Sequence, residues 1–205
     1  PESSLYWNGG SPSHPPFQAS KNTVVREASP VSLGQPGTVF RYAQTFGETE
    51  VAYFRDANHL SYPYGVGVDG AGNLWVAEIS GARAMKYTAA GSFLMSIGTA
   101  GLIGRADETH FNSPADVAVD SSGNIWVVDG SPSRVAKYDS SGSYLMQLGE
   151  TWERGSDNDH FNQPRSVAFD SADNVYVSDA NNHRVQMFDS GGTYVTTIGV
   201  TGELG

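Results

Sequence analysis

The sequence predicts an all-β fold of repeated four-stranded units, and three observations carry that expectation. First, the 205 residues include 24 glycines and 11% aromatics, with no long run of helical periodicity. That mixture suits many short strands joined by tight turns. Second, three segments align with one another: Pro63 to Gly98, Pro114 to Gly149 and Pro164 to Gly199. Proline returns at 63, 114 and 164, aspartate at 69, 120 and 170, an aromatic at 75, 126 and 176, and arginine at 83, 134 and 184. Third, each segment holds four short apolar runs separated by turn signals. A repeat of about fifty residues made of four strands reads as a β-propeller blade.

Within each unit the first run is Val66–Val68, Val117–Val119 or Val167–Phe169. It is expected to be innermost and buried on both faces, as a strand lining a propeller axis would be. A D-x-x-[GD]-N turn follows, whose aspartate can accept from backbone N–H groups two residues on. The second strand alternates through Leu74-Trp75-Val76, Ile125-Trp126-Val127 and Val175-Tyr176-Val177. The third spans 84–87, 135–138 or 185–188, and after a glycine turn the outermost spans 93–97, 144–148 or 194–198. The recurring Trp75, Trp126, Tyr87, Tyr138 and Tyr144 are expected in the core.

Residues 1–62 are read as a degenerate partial first blade with a Pro/Ser-rich loop at 11–20. In it 5–7 would be the second strand, 23–26 the third and 39–46 the outermost, with the innermost strand missing. About four blades are therefore expected, of which 63–98, 114–149 and 164–199 are regular, together forming one propeller domain. An open arc would leave two apolar blade faces in water, so closure is expected from a longer chain or from neighbouring copies packed head to tail.

Composition narrows the partners. Twelve Lys and Arg stand against 22 Asp and Glu, a formal charge of -10, and the arginines are scattered singly. Nucleic-acid binding needs a basic face, so RNA and DNA are not expected. Cysteine is absent, which removes disulfides, thiolate ligands and thiol nucleophiles. No apolar run reaches eighteen residues, and no membrane insertion is expected.

The pattern F-N-x-P-x-x-V-A-V-D-S-S-G-N-x-W-V-x-D followed by R-V-x-x-[YF] resembles the NHL repeat. Phe111-Asn112, Phe161-Asn162, Val117 to Asp120, Gly123-Asn124, Asp129, Arg134 and Asn182-His183-Arg184 carry the resemblance. It implies a propeller, commonly six-bladed, which would need about 300 residues. It implies little about function, since such propellers serve as binding modules, RNA binders and occasional enzymes. The propeller of the peptidyl-hydroxyglycine amidating lyases is similar too. That family places metal-binding histidines directly after the proline in several blades, where this chain has Tyr64, Ala115 and Arg165. Its disulfides are missing as well, so the resemblance does not carry that catalytic site over and that activity is not expected.

Three groups of residues are candidates for chemistry. His59, His110 and His160 each follow an aspartate by three positions and could converge on a metal, although a residue repeated in every blade more often clasps its own linker. Glu78/Arg83, Asp129/Arg134 and Asp179/Arg184 read as structural pairs across the turn between second and third strands. Positions where the blades differ are better candidates for a ligand: Tyr64-Gly65, Ala115-Asp116 and Arg165-Ser166 start the innermost strands, where Tyr64, Asp116 and Arg165 would form a mixed polar rim. Trp152 occurs once, in a linker, and is an interface candidate. No catalytic residue, metal or cofactor is assigned. The expected function is a non-enzymatic propeller, extracellular or at the cell surface, acting as an interaction or assembly module for another protein or further copies of itself. The alternative is a metal-dependent lyase or hydrolase at the propeller channel, and a more distant one is an RNA-binding propeller.

Overall fold

The aspartate turns show how local sequence builds each blade. Asp69, Asp120 and Asp170 each turn Oδ1 onto the backbone N–H groups two and four residues on, at 2.8–3.1 Å. Each also accepts from the amide of the closing asparagine, Asn73, Asn124 or Asn174. Such an Asx turn reverses the chain tightly enough to pair the flanking strands. Burial pushes the Asp69 carboxyl up, but hydrogen bonds from Lys86 and Asn73 outweigh it and hold the group at about 2.

The computed structural model describes Ala57 and residues 59–202, all within one compact unit, Thr45–Gly205. Three four-stranded antiparallel sheets account for the described residues. The first is β1 (Pro63–Val68), β2 (Leu74–Glu78), β3 (Arg83–Tyr87) and β4 (Phe93–Ile97). The second is β5 (Pro114–Val119), β6 (Ile125–Asp129), β7 (Arg134–Tyr138) and β8 (Tyr144–Leu148), and the third is β9 (Pro164–Phe169), β10 (Val175–Asp179), β11 (Arg184–Phe188) and β12 (Tyr194–Ile198). One 3-10 turn, Ala180–Asn182, is the only helical element among the described residues. Strand order follows chain order in every sheet, so each is a meander blade of the expected kind. The partial first blade expected in residues 1–62 lies almost wholly outside the described residues.

Blades pack face to face through two apolar clusters. Trp75, Ala77, Ala84 and Ile97 of the first blade meet Val117, Ile125, Val127, Ala136 and Tyr138 of the second. Trp126, Val128, Val135 and Leu148 meet Val167, Val175, Val177 and Phe188 of the third. The linker aromatics Phe111 and Phe161 plug these seams, edge-on to Tyr138 and Phe188. The innermost strands come very close: a Cβ on Gly65 would lie 2.5 Å from the Asp116 Cα, and one on Gly67 2.5 Å from the Val117 carbonyl. Only glycine permits that approach.

One expectation about the innermost strands needs correction. Val117 and Val167 are buried, but Val66 and Val68 are 64% and 66% exposed. Burial of an innermost strand comes from the blade stacked on it, and no described blade covers β1 on that side.

The repeated acid–arginine pairs are buried clasps. Asp129 accepts from the N–H groups of Asn112 and Ser113, Asp179 from Asn162, and Glu78 from Ser61, each acid gripping the linker just before the proline. Arg134 and Arg184 pair with those aspartates at 3.5 and 2.8 Å and donate onward to linker carbonyls. Desolvation by burial raises the Asp129 pKa to about 6, against the lowering effect of the Ser113 and Asn112 N–H groups and Arg134.

Candidate functional site

The ends of the innermost strands that begin at Pro63, Pro114 and Pro164 share a local irregularity. In β5, Pro114 pairs with Asp129 and Asp116 with Val128, leaving Ala115 without a partner. In β9, Pro164 pairs with Asp179 and Ser166 with Ser178, leaving Arg165 out. In β1 the ladder slips between Pro63 and Val66, so Tyr64 and Gly65 face a single residue, Ala77. The residue after each proline therefore lies in a bulge, a device that ends regular pairing and re-aims a side chain. These are also the positions at which the three repeats differ.

Bulged residues carry different chemistry in the three blades. Tyr64 is exposed and stacks on Tyr62, with ring centroids 6.4 Å apart. Ala115 is buried. Arg165 is exposed, and among the described residues its guanidinium has only Gln163 Oε1 nearby, at 3.4 Å, with no carboxylate partner. Asp116, the residue after Ala115, is half-buried and fully engaged. Its Oδ1 accepts from the Val117 N–H at 2.9 Å, and its Oδ2 accepts from the Ser166 hydroxyl at 2.6 Å and the Val167 N–H at 3.1 Å. The rim expected from Tyr64, Asp116 and Arg165 thus comprises two exposed groups and one tie between blades.

The three histidines are placed one by one in their linkers. Asp107 and Asp157 each hold the Nδ1 of His110 and His160 at 2.7 Å. The backbone carbonyls of His59, His110 and His160 accept from Arg83, Arg134 and Arg184. The repeated motif is thus part of the linker clasp. One surface grouping, Glu150, Glu153 and His160, brings its ligand atoms within 4.8 Å of one another. The Asp157 hydrogen bond raises the His160 pKa, burial opposes it, and the charges of Asp157, Glu150 and Glu153 add to the rise. An imidazole hydrogen-bonded to Asp157 beside two exposed carboxylates accounts for that grouping.

Trp152 is half-exposed and sits at φ 69. The corresponding turn in the other linkers has Gly101 at φ 74 and Gly202 at φ 80. All three donate their backbone N–H to the turn of their own blade, to Pro132, Gly81 and Asn182 carbonyls respectively. A tryptophan stands here where the backbone favours glycine.

Sequence reasoning missed the bulges and Ser178. The Ser178 hydroxyl accepts from the Ser166 N–H at 2.9 Å, closing the Arg165 bulge from the β10 side. A signal existed: Ser178 stands where the other blades have Ala77 and Val128.

A metal ligated by residues directly after the prolines, as the similarity to amidating lyases implies, does not fit these blades. Ala115 has no donor atom, Arg165 is a cation, and Tyr64 is left as a lone phenol.

A model of the NHL repeat matches residues 111–138 and 161–188. Over 93 residues the chain is 34% identical to a probable peptidyl-alpha-hydroxyglycine alpha-amidating lyase of Caenorhabditis elegans, covering 44% of this chain and 26% of that protein. Over 96 residues it is 36% identical to peptidyl-glycine alpha-amidating monooxygenase A of Xenopus laevis, covering 45% of this chain and 10% of that one. The matches thus span about a quarter or less of these relatives. Among solved structures, virginiamycin B lyase from Staphylococcus aureus has a TM-score of 0.51 at 13% identity, covering 70% of this chain and 43% of that one. A streptogramin B lyase has 0.50 at 14%, covering 68% and 41%. At such identities these two likenesses establish the β-propeller fold alone. The amidating relatives bear on function. Both are enzymes, and the similarity to them overturns the expectation of a non-enzymatic interaction or assembly module. That expectation rested on the lack of a recognisable catalytic constellation in the blades.

Proposed function

We propose, from the NHL repeats matched at residues 111–138 and 161–188 and the amidating relatives, that the chain forms part of a lyase acting on peptides that end in α-hydroxyglycine. The observation that carries the reading is the 34% identity over 93 residues to an amidating lyase. The geometry adds a place for the chemistry, the bulged strand ends bearing Tyr64 and Arg165.

The reaction needs neither water nor a redox partner. The proton of the α-hydroxyl leaves, the C–O bond becomes a carbonyl, the C–N bond breaks, and the amide nitrogen takes up a proton. The products are a peptide amide and glyoxylate. In our reading the Arg165 guanidinium holds the terminal carboxylate, for which its forked donors are suited. Tyr64, with an exposed phenol, moves the proton between the hydroxyl and the departing nitrogen. The described residues at the rim do not make a metal ligand set. An extracellular or cell-surface location belongs to the same reading; among the described residues no helix is long and apolar enough to cross a membrane.

The test is glyoxylate release from α-hydroxyhippurate by the full chain. Release that exceeds the uncatalysed rate and falls in R165A supports the reading. Release no faster than in buffer overturns it.

A further inference from the structure

We propose that Asp116 is a positioning residue that fixes the Arg165 bulge from the neighbouring blade and so determines recognition of the substrate carboxylate. The inference rests on the reading of Arg165 given above, and it assigns Asp116 a role distinct from direct contact with the ligand.

A bulge lacks the ladder hydrogen bonds that hold a regular strand, so the backbone around Arg165 needs other anchors. It has them on both sides. Ser166, directly after Arg165, donates its N–H to Ser178 Oγ at 2.9 Å within its own blade, and its hydroxyl to Asp116 Oδ2 at 2.6 Å in the blade before. The next N–H, of Val167, reaches the same Asp116 oxygen at 3.1 Å. One carboxylate oxygen from β5 thus fixes two successive residues of β9. The other oxygen is held by Val117 at 2.9 Å, which ties the carboxylate to its own strand.

These bonds also explain why Asp116 is not free for a ligand: both oxygens are occupied by protein donors. Gly65 presses against its Cα from the other side, in a contact too close for any side chain. The row Gly65, Asp116, Ser166 runs across three innermost strands at one level, with Tyr64 at one end and Arg165 at the other. Charge-assisted bonds of this length are the stronger kind, and they fix an exposed arginine at its base without neutralising its head. The two other blades lack the arrangement at their bulges, since Tyr64 is followed by Gly65 and Ala115 is buried.

The test uses the full chain with glyoxylate as probe, followed by calorimetry. D116N keeps the shape of the carboxyl but presents an amide N–H₂ to groups that themselves donate. It should weaken glyoxylate binding roughly tenfold, as expected when one charge-assisted anchoring bond is lost. S166A removes one bond at an exposed residue, tests the same path without threatening the fold, and should weaken binding in the same sense. Methyl glyoxylate, which lacks the charge, should bind wild type and D116N alike. In an R165A background D116N should cost nothing more, since the two act on one interaction. With α-hydroxyhippurate, KM should rise while kcat changes little.

Equal glyoxylate affinity in wild type, D116N and S166A overturns the inference, as does an additive loss in the R165A/D116N double variant. Absence of Arg165-dependent glyoxylate binding in wild type overturns it as well. Glyoxylate bound through Arg165 without any cleavage of α-hydroxyhippurate sinks the lyase reading and leaves the role of Asp116 standing.

Discussion

Replacing Arg134 by alanine should destabilise the chain by about 3–5 kcal/mol, because its guanidinium is the hub of the second blade's clasp. Arg134 is 1% exposed and Asp129, its partner, 0%. The Nη2 group donates to the Asp107 and His110 carbonyls at 2.8 Å each, and Nη1 donates to Gln147 Oε1 at 3.2 Å. Two short bonds from a charged donor are worth about 1.5 kcal/mol each at the low end, or about 3 together. Stranding a buried Asp129 brings the loss toward the 3–5 kcal/mol typical of a broken buried pair. With a urea slope of about 2 kcal/mol/M, the midpoint should fall by roughly 1.5–2.5 M. Asp129 already has a pKa raised to about 6 by burial. Once its counter-charge is gone it can escape by taking up a proton, so the loss should be larger at pH 8 than at pH 5. Paired urea titrations at the two pH values check both statements. A loss below about 1 kcal/mol, or one larger at pH 5, would refute the reasoning.

Other outcomes follow from the same geometry. The folded pKa of Asp129 lies above the ordinary 3.8, so its contribution to stability is fully present below pH 3.8 and is lost as pH rises through about 6. Asp69, held at about 2, works in the opposite sense and loses its contribution as pH falls below 3.8; the urea midpoint should peak in weak acid, and a steady rise to pH 7 would contradict this. D120N should cost about 1–2 kcal/mol by chemical denaturation, because its carboxylate accepts from the buried Trp126 indole at 3.1 Å and lies 3.4 Å from Lys137. W152G should change stability by about 0.5 kcal/mol or less, since relief at φ 69 offsets the packing lost from a half-exposed ring. R165A should leave the thermal midpoint within about 1 °C of wild type while weakening glyoxylate binding about tenfold to a still measurable level, because Arg165 is exposed and holds no buried partner.

What the sequence disclosed is what the blades repeat. The aspartate turns, the buried Trp75 and Trp126 and the acid–arginine pairs each recur at the blade period, and each is local enough to read from residue type and spacing. The innermost strands were less legible, because the burial of Val66 and Val68 depends on what stacks beside them rather than on their own composition. The bulges were invisible for a similar reason. A one-residue slip in a ladder depends on how the linker acid grips the chain before the proline, as Asp129 grips Asn112 and Ser113, and those contacts join residues seventeen and sixteen positions apart. The bond between Asp116 and Ser166 spans fifty positions and two blades. Nothing in either strand alone announces it.

The same contrast explains why the functional expectation failed while the fold expectation held. Absence of histidine at 64, 115 and 165 counts against the amidating-lyase site, yet it bears only on one way of building a site. A bulge is generic: it projects whatever side chain follows the proline, and it needs the clasp behind it more than any particular residue at its tip. The scaffold therefore permits the projected residue to change from blade to blade at little cost to stability. It is this division that separates Arg165, exposed and unpaired with any acid among the described residues, from Arg83, Arg134 and Arg184, each buried against a carboxylate. An arginine held at its base by Ser166, Ser178 and Asp116 but left open at its head differs from the three repeated clasp arginines, Arg83, Arg134 and Arg184, whose guanidinium groups are buried. On the proposed reading, that open head is what meets an anion arriving from solvent.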